Sequence, residues 1–391
     1  MIKKYTFLLF FLLIFKSFQG QVQLSVYSEI SIVTAGSGTE LYEAFGHSAL
    51  RVKDPMLQLD LIYNYGMFDF NQPNFYSNFV KGKLLYSLGR YPFEYFLISY
   101  QQDKRWVKQQ VLNLTQNEKQ AFFTYLENNA LPQNSDYLYD PYFDNCATKL
   151  RDITVSILKN KLDFNDENLP KNQSFRQLMN HEIPWNSWGS FGINVALGSK
   201  LDQKTTLEET MYLPKYVYKI FKNSKITLNG KSENLVKKEE ILLDFEDLSP
   251  KNSVFSPFLI FLLFSIMGVY ITISDVKENK RTKWLDVTIF ASTGIIGILI
   301  MFLWFFTNHS TTPNNFNFLW AFAPNFFISF QFLKENPPIW ISKHAQLLLI
   351  FLSFIPIIWL LKIQEFPIPV IPLVLLLAVR FWFLTHKIHY K

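Results

Sequence analysis

With one cysteine, Cys146, in 391 residues, the chain can form no internal disulfide and no thiolate cluster for a metal. Its six histidines are scattered, and no Cys or His pair has ligand spacing, so no metal is expected. The phosphate-cradling glycine loop of nucleotide-binding proteins is missing, and no cofactor is expected. No internal repeat suggests a solenoid. Charge is scarce too: 18% of residues are charged against 49% hydrophobic, with 40 Phe, which excludes an ordinary soluble protein. What remains is a membrane protein with a folded soluble part.

Hydropathy divides the chain. Residues 1–20, MIKKYTFLLFFLLIFKSFQG, begin with Lys3 and Lys4, continue as an apolar run and end in small or polar residues, the layout of a signal peptide. Residues 21–252 are then exported, and residues 253–391 form the membrane domain. The first apolar run, Val254 to Ser274, carries no charge and is long enough to cross a hydrocarbon core about 30 Å thick. Further runs at Val287 to Asn308, Phe316 to Phe332, Ala345 to Leu361 and Phe366 to Thr385 make five expected helical spans. Lys277, Lys280, Arg281 and Lys283 lie between the first and second runs, Lys334 and Lys343 between the third and fourth, and Lys387 and Lys391 after the fifth, all on one side of five crossings. Basic loops stay inside, so these segments and the C-terminus are expected in the cytoplasm and residues 21–252 in the periplasm. The net charge of +6 owes much to these orientation signals, and no nucleic-acid partner is expected.

The exported segment is expected to be α+β. QLSVYSEISIVTAG, HSALRV and LQLDLIYNYGMFDF read as strands, the last with Leu59, Leu61, Tyr63 and Tyr65 alternating with polar positions such as Asp60 and Asn64. FEYFLISYQQDKRWVKQQVLNL has apolar residues at helical spacing, and Thr115 with Glu118 forms a capping-box pattern before another helix. A third helix is expected from Cys146, with Asp144 and Asn145 as potential caps. The segment from Lys222 to Pro250 holds an Asn-Gly turn and reads as a hairpin or linker.

A thiol at a helix N-terminus has a lowered pKa, and an adjacent imidazolium lowers it further. Cys146 has the first, and His47 in AFGHSALRV is the histidine that could give the second. Nucleophile and base meet in space rather than in sequence. A third group should orient His47, with Asn64 the first choice and Asp69 the second. An oxyanion formed during attack needs donors, for which the Cys146 backbone N–H and the Asn145 side chain are candidates. The residues by themselves leave three readings open: an acyl-transferring cysteine enzyme, a membrane-tethered cell-wall cysteine peptidase or amidase, and a non-catalytic membrane assembly factor in which Cys146 merely packs.

GSGTELYEAFGHSALRV, YNYGMFDF, DNCATKLRD and the polytopic tail together resemble the Lnb family of bacterial lipoprotein N-acyltransferases of the Bacteroidota. The order of His47 before Cys146 is also similar to the permuted papain-like arrangement of lecithin:retinol acyltransferase. The resemblance implies a permuted papain-like exported domain followed by five transmembrane helices. It also implies transfer of a fatty acyl chain from a phospholipid to the N-terminal amine of a diacylglyceryl-cysteine lipoprotein. On that reading Arg51, Arg105, Lys149 and Arg151 are candidates to meet lipid phosphate, and His309, in the loop after the second span, to touch substrate.

Overall fold

The computed structural model of the chain describes residues 22–165, 172–250 and 253–389; the expected signal peptide lies outside them. Strand β1 (Glu29–Ala35) is followed by β2 (His47–Asp54), β3 (Leu59–Met67), helix α1 (Phe75–Val80), β4 (Leu85–Pro92), α2 (Phe93–Gln102), β5 (Val107–Leu112) and α3 (Gln116–Asn129). Next come β6 (Asp136–Leu138), α4 (Cys146–Leu158), β7 (Leu162–Asp163), α5 (Phe175–Asn180), α6 (Trp188–Ala196), α7 (Leu207–Thr210) and α8 (Pro214–Asn223). The hairpin β8 (Lys225–Leu228) and β9 (Lys231–Asn234) and strand β10 (Val236–Leu243) close this α+β domain.

Seven strands form one antiparallel sheet in the order β10-β5-β1-β2-β3-β4-β6. Both faces of its centre are covered. Side chains alternate along a strand, so Ile30, Ile32, Leu50, Val52, Tyr63 and Tyr65 face the main core with α3, α4 and α8. Val33, Ala35, Ala49 and Ile62 face Phe93 and Phe96 of α2. The capping box of Thr115 and Glu118 starts α3 as expected. The single helix expected through FEYFLISYQQDKRWVKQQVLNL is instead α2, a turn with Lys104 at φ 54°, and β5. Pairing to β1 on one side and β10 on the other overrides the helical periodicity there. The Asn229-Gly230 turn closes the expected hairpin with both residues at positive φ. Beyond it the chain does not run straight to the membrane: β10 returns to the sheet beside β5.

The C-terminal region is helical. Among the described residues four helices are long and apolar enough to cross a membrane: α9 (Pro257–Lys277), α10 (Lys283–Phe305), α12 (Trp340–Leu360) and α13 (Val370–His389), with α11 (Asn325–Ser329) between the second and third. The expected third helical span, Phe316 to Phe332, is not among them. It is a 3₁₀ turn at Phe316–Leu319, the short α11 and a second 3₁₀ turn at Phe330–Leu333. Asparagines account for part of the break: Asn315 Oδ1 accepts from the backbone N–H of Asn317, and Asn317 Oδ1 from the Trp320 indole. The irregular backbone lies directly on α10, where a Cβ on Gly294 or Gly297 would come within 2.0 Å of Phe326 N or 2.2 Å of the Ala321 carbonyl oxygen. Non-helical backbone at membrane depth is tolerated only when shielded by protein in this way. The last helix begins beyond Pro367 and Pro369, leaving Pro372 in its first turn, where no intrahelical N–H is lost.

Buried polar groups tie the two regions together. Arg176, fully buried, binds Asp202 at 3.0 Å, Asn194 Oδ1 at 3.0 Å and the carbonyls of Leu197 and Gly198. Asp202 in turn accepts from the backbone N–H of Glu365, just before α13. Asn315 donates to the Val195 carbonyl at 2.8 Å, and Gly198 N–H to the Thr311 carbonyl at 2.8 Å. Near the other end of the helices Arg380 bridges Asp275 and Asp286, each at 2.7 Å, and Arg281 joins Asp286.

Candidate active site

Cys146 opens α4. Asn145, its N-cap, accepts from Ala147 N–H at 2.8 Å and Thr148 N–H at 2.9 Å, while Thr148 Oγ1 accepts from Asn145 N–H. Such a capping box stabilises a helix by about 1 kcal/mol. Both amide hydrogens of Asn145 are taken as well, by the carbonyls of Pro141 at 2.7 Å and Tyr212 at 2.9 Å. Asn145 therefore positions the cysteine and has no hydrogen to offer an oxyanion, which corrects the expectation for its side chain. The cap leaves out the N–H of Cys146 itself.

His47 begins β2 directly opposite Ala35 of β1. By the alternation of the strands, His47 and Asn64 project from the face covered by α2, whereas α4 packs on the other. They meet because β2 and β3 part at their ends: the last pair on that side is Leu50 with Tyr63. Gly66, at φ 94°, lies in the gap. A Cβ there would sit 3.9 Å from Cys146 Cβ and 3.6 Å from the Tyr139 ring. A side chain at residue 66 would both strain the backbone and fill the approach to the thiol.

The three side chains expected to act together do lie together. Asn64 donates through Nδ2 to Tyr91 Oη at 2.9 Å and to Met67 Sδ at 3.2 Å, which fixes its amide so that Oδ1 faces the histidine. His47 Nε2 therefore donates to Asn64 Oδ1, at 2.6 Å. On the other side His47 is hydrogen-bonded to Cys146. Burial by itself pushes the imidazole down, but the charge of Cys146 and the hydrogen bonds to Cys146 and Asn64 outweigh it and raise His47 above its ordinary value. Burial likewise pushes the thiol up. The His47 charge, its hydrogen bond and the N–H groups of Ser48 and Ala147 more than offset that and hold Cys146 below the usual thiol range. Both shifts favour a thiolate beside an imidazolium.

Tyrosines surround the thiol, and their significance was not legible in the sequence. The hydroxyls of Tyr137 and Tyr65 are buried and have no hydrogen-bond partner among the described residues. Tyr137 Oη lies 4.0 Å from the position of a Cβ on Gly66, next to Cys146. Burial and the neighbouring Cys146 charge push Tyr137 well up, so it stays a protonated donor. A buried donor without an acceptor is costly.

Other expected residues are engaged elsewhere. Asp69 caps the turn at Asn71 and does not reach His47. Arg51 is buried, doubly bonded to Asp60 and bonded to Gln109, with its guanidinium 3.7 Å from the Phe93 ring centre. Arg105 is buried against the Gly36 carbonyl and Glu43. Both arginines are buried and engaged with the sheet and its loops, so the structure does not present them to lipid phosphate as expected. Lys149 pairs with Asp144 and lies over Tyr137, while Arg151 pairs with Asp152 and the Glu208 carbonyl. His309 packs on Gly82, and its neighbour Ser310 donates to Asp140. Asp140 also accepts from the N–H groups of Tyr142 and Phe143, ordering the loop that leads to Cys146. The loop after α10 thus braces the loop that leads to Cys146. Among the described residues no His, Cys, Asp and Glu grouping could hold a metal.

An α+β domain that brings Cys146, His47 and Asn64 together, joined to a bundle of apolar helices, defines a membrane protein with a folded N-terminal domain. Residues 15–181 match the family model of the Lnb N-terminal periplasmic domain, and residues 249–391 match that of the Lnb transmembrane domain. The chain belongs to the Lnb family and is a membrane protein with a periplasmic N-terminal domain. No curated protein and no solved structure matches it.

Proposed function

We propose that this protein is a lipoprotein N-acyltransferase that uses Cys146 as its nucleophile. The observation that carries the reading is the Cys146–His47 pair, oriented by Asn64 and set in a domain braced on membrane helices. In the first step the thiolate attacks the ester carbonyl of a phospholipid, the ester C–O bond breaks, and His47 gives its proton to the departing alcohol of the lysophospholipid. In the second, the N-terminal amine of a diacylglyceryl-cysteine lipoprotein attacks the thioester, His47 takes the proton, an amide forms and the thiolate returns. The tetrahedral oxyanion of each step is held by the Cys146 N–H and the Tyr137 hydroxyl, donors that the fold leaves without acceptors. Permuted papain-like order, His47 on a strand before Cys146 on a helix, is the arrangement this reading uses.

The same proposal sets the topology. The broken segment from Phe316 makes the fifth crossing: Phe316 N–H bonds Gln364 at one end, and the Phe332 and Lys334 carbonyls accept from Arg281 at the other. The C-terminus is then cytoplasmic and the protein lies in the inner membrane.

Mass spectrometry of lipoprotein N-termini from cells with the protein, without it, and with Cys146→Ser tests the reading. The third acyl chain should appear only with the native protein. Triacylated lipoproteins made by the Cys146→Ser protein would overturn it, and cleavage of cell-wall peptides by the native protein with no acyl transfer would turn it into a peptidase.

A further inference from the structure

The segment between β3 and β4 takes no part in the chemistry above, yet it is unusually aromatic at its surface. Tyr76 is 70% exposed, Phe79 50%, Val80 46% and Phe70 51%. On α1, Phe75, Tyr76, Phe79 and Val80 share one face, and Ser77 and Asn78 lie on another. The place of this helix in the molecule identifies what covers it. Asn308 N–H donates to the Lys81 carbonyl at 2.8 Å, and a Cβ on Gly82 would fall 2.6 Å from His309 N. Residues 308 and 309 follow immediately on the outer end of α10, where Phe305 and Phe306 are 62% and 74% exposed. The C-terminal end of α1 therefore lies against the loop that follows a membrane helix, and both helices carry exposed aromatic rings close to that junction. Trp188, whose indole donates to the Phe255 carbonyl beside the start of α9, marks the same boundary. Lys81 and Lys83, both exposed, flank the helix at headgroup level.

Behind α1 the rings form a row leading inward. Phe75 and Phe68 lie 6.0 Å apart by centroids, Phe68 and Tyr86 5.0 Å, and Tyr86 and Tyr139 4.4 Å. Tyr139 shares with Cys146 the wall of the gap at Gly66. We propose that α1 and its flanking residues sit in the outward-facing leaflet of the bilayer that the helices cross, and that this row of rings is the apolar path by which a lipid acyl chain reaches Cys146. The path rests on the acyl-transfer reading; the insertion of α1 does not.

Because Cys146 is the only cysteine, the full-length Cys146→Ser protein accepts single reporter cysteines. Tyr76→Cys and Phe79→Cys, labelled with bimane and reconstituted in phosphatidylethanolamine–phosphatidylglycerol vesicles, should be quenched strongly by lipids carrying a nitroxide on the acyl chain. Met56→Cys, in the turn at the opposite end of β2 and β3, should not. Equal, weak quenching at all three positions would overturn insertion. For the path, Phe68→Ala in the otherwise native chain should raise the concentration of long-chain phospholipid needed for half-maximal acyl-enzyme by about tenfold, and that of a short-chain analogue far less. Equal effects on both chains would overturn the path. If the native chain forms no acyl-enzyme with either lipid, the acyl-transfer reading and the path both fall, and the quenching alone decides insertion.

Discussion

Alkylation of Cys146 as a function of pH is the most direct probe of the ion pair. A thiol of ordinary pKa, about 8.5, is only about 1% thiolate at pH 6.5. Cys146 is held below the usual range and His47 above it, and on the proposed reading the two form a thiolate–imidazolium pair near neutral pH. Iodoacetamide should react readily at pH 6.5 and lose rate only as acid protonates the thiolate. His47→Ala removes both the charge and the hydrogen bond that lower the thiol while leaving its burial, which pushes it up. The thiolate fraction at pH 6.5 should then drop below about 1%, so alkylation slows by about a hundredfold or more and recovers only in alkali. Asn64→Ala should give an intermediate profile, since it removes the hydrogen bond that supports the raised imidazole. Linkage follows the same signs. The stabilisation from Cys146 is present above the unfolded thiol pKa and lost as pH falls through its lowered folded value; that from His47 is present below the unfolded imidazole pKa and lost as pH rises through its raised folded value. Identical profiles for native and His47→Ala proteins, with the variant folded by circular dichroism, would refute the ion pair.

Tyr137→Phe deletes only a hydroxyl and should slow acyl-enzyme formation by about 10²- to 10³-fold, read by intact-protein mass spectrometry, with the alkylation profile of Cys146 little changed. Arg176→Ala leaves Asp202 buried without its partner and should cost about 3–5 kcal/mol, measured as a loss of thermal stability in detergent. A reporter inserted at the Asn229-Gly230 turn should be exported and one fused after Lys391 cytoplasmic; if both report the same side, the broken segment from Phe316 does not complete a crossing.

The sequence by itself determined the division into an exported domain and a membrane domain, because a long uncharged run has few alternatives in lipid. It also placed Cys146 at a helix start, since caps are local patterns carried by neighbouring residues, and it offered His47 and Asn64 as partners from their chemistry alone. Whatever depended on distant parts of the chain stayed hidden. The residues of β5 have helical spacing but were drawn into the sheet by strands far away in sequence, β1 and β10. Arg51 and Arg105 look like free cations until folding brings Asp60, Gln109, Glu43 and the Gly36 carbonyl against them. Asn145 looks like a free amide until Pro141 and Tyr212 close on it. The third apolar run is apolar enough for a helix, but the glycine face of α10 and the bonds of its own asparagines break it. Tyr137 and Gly66 acquire meaning only where the end of the sheet and the start of α4 converge, because an unpaired hydroxyl and an open gap are properties of a packed neighbourhood and not of a residue type.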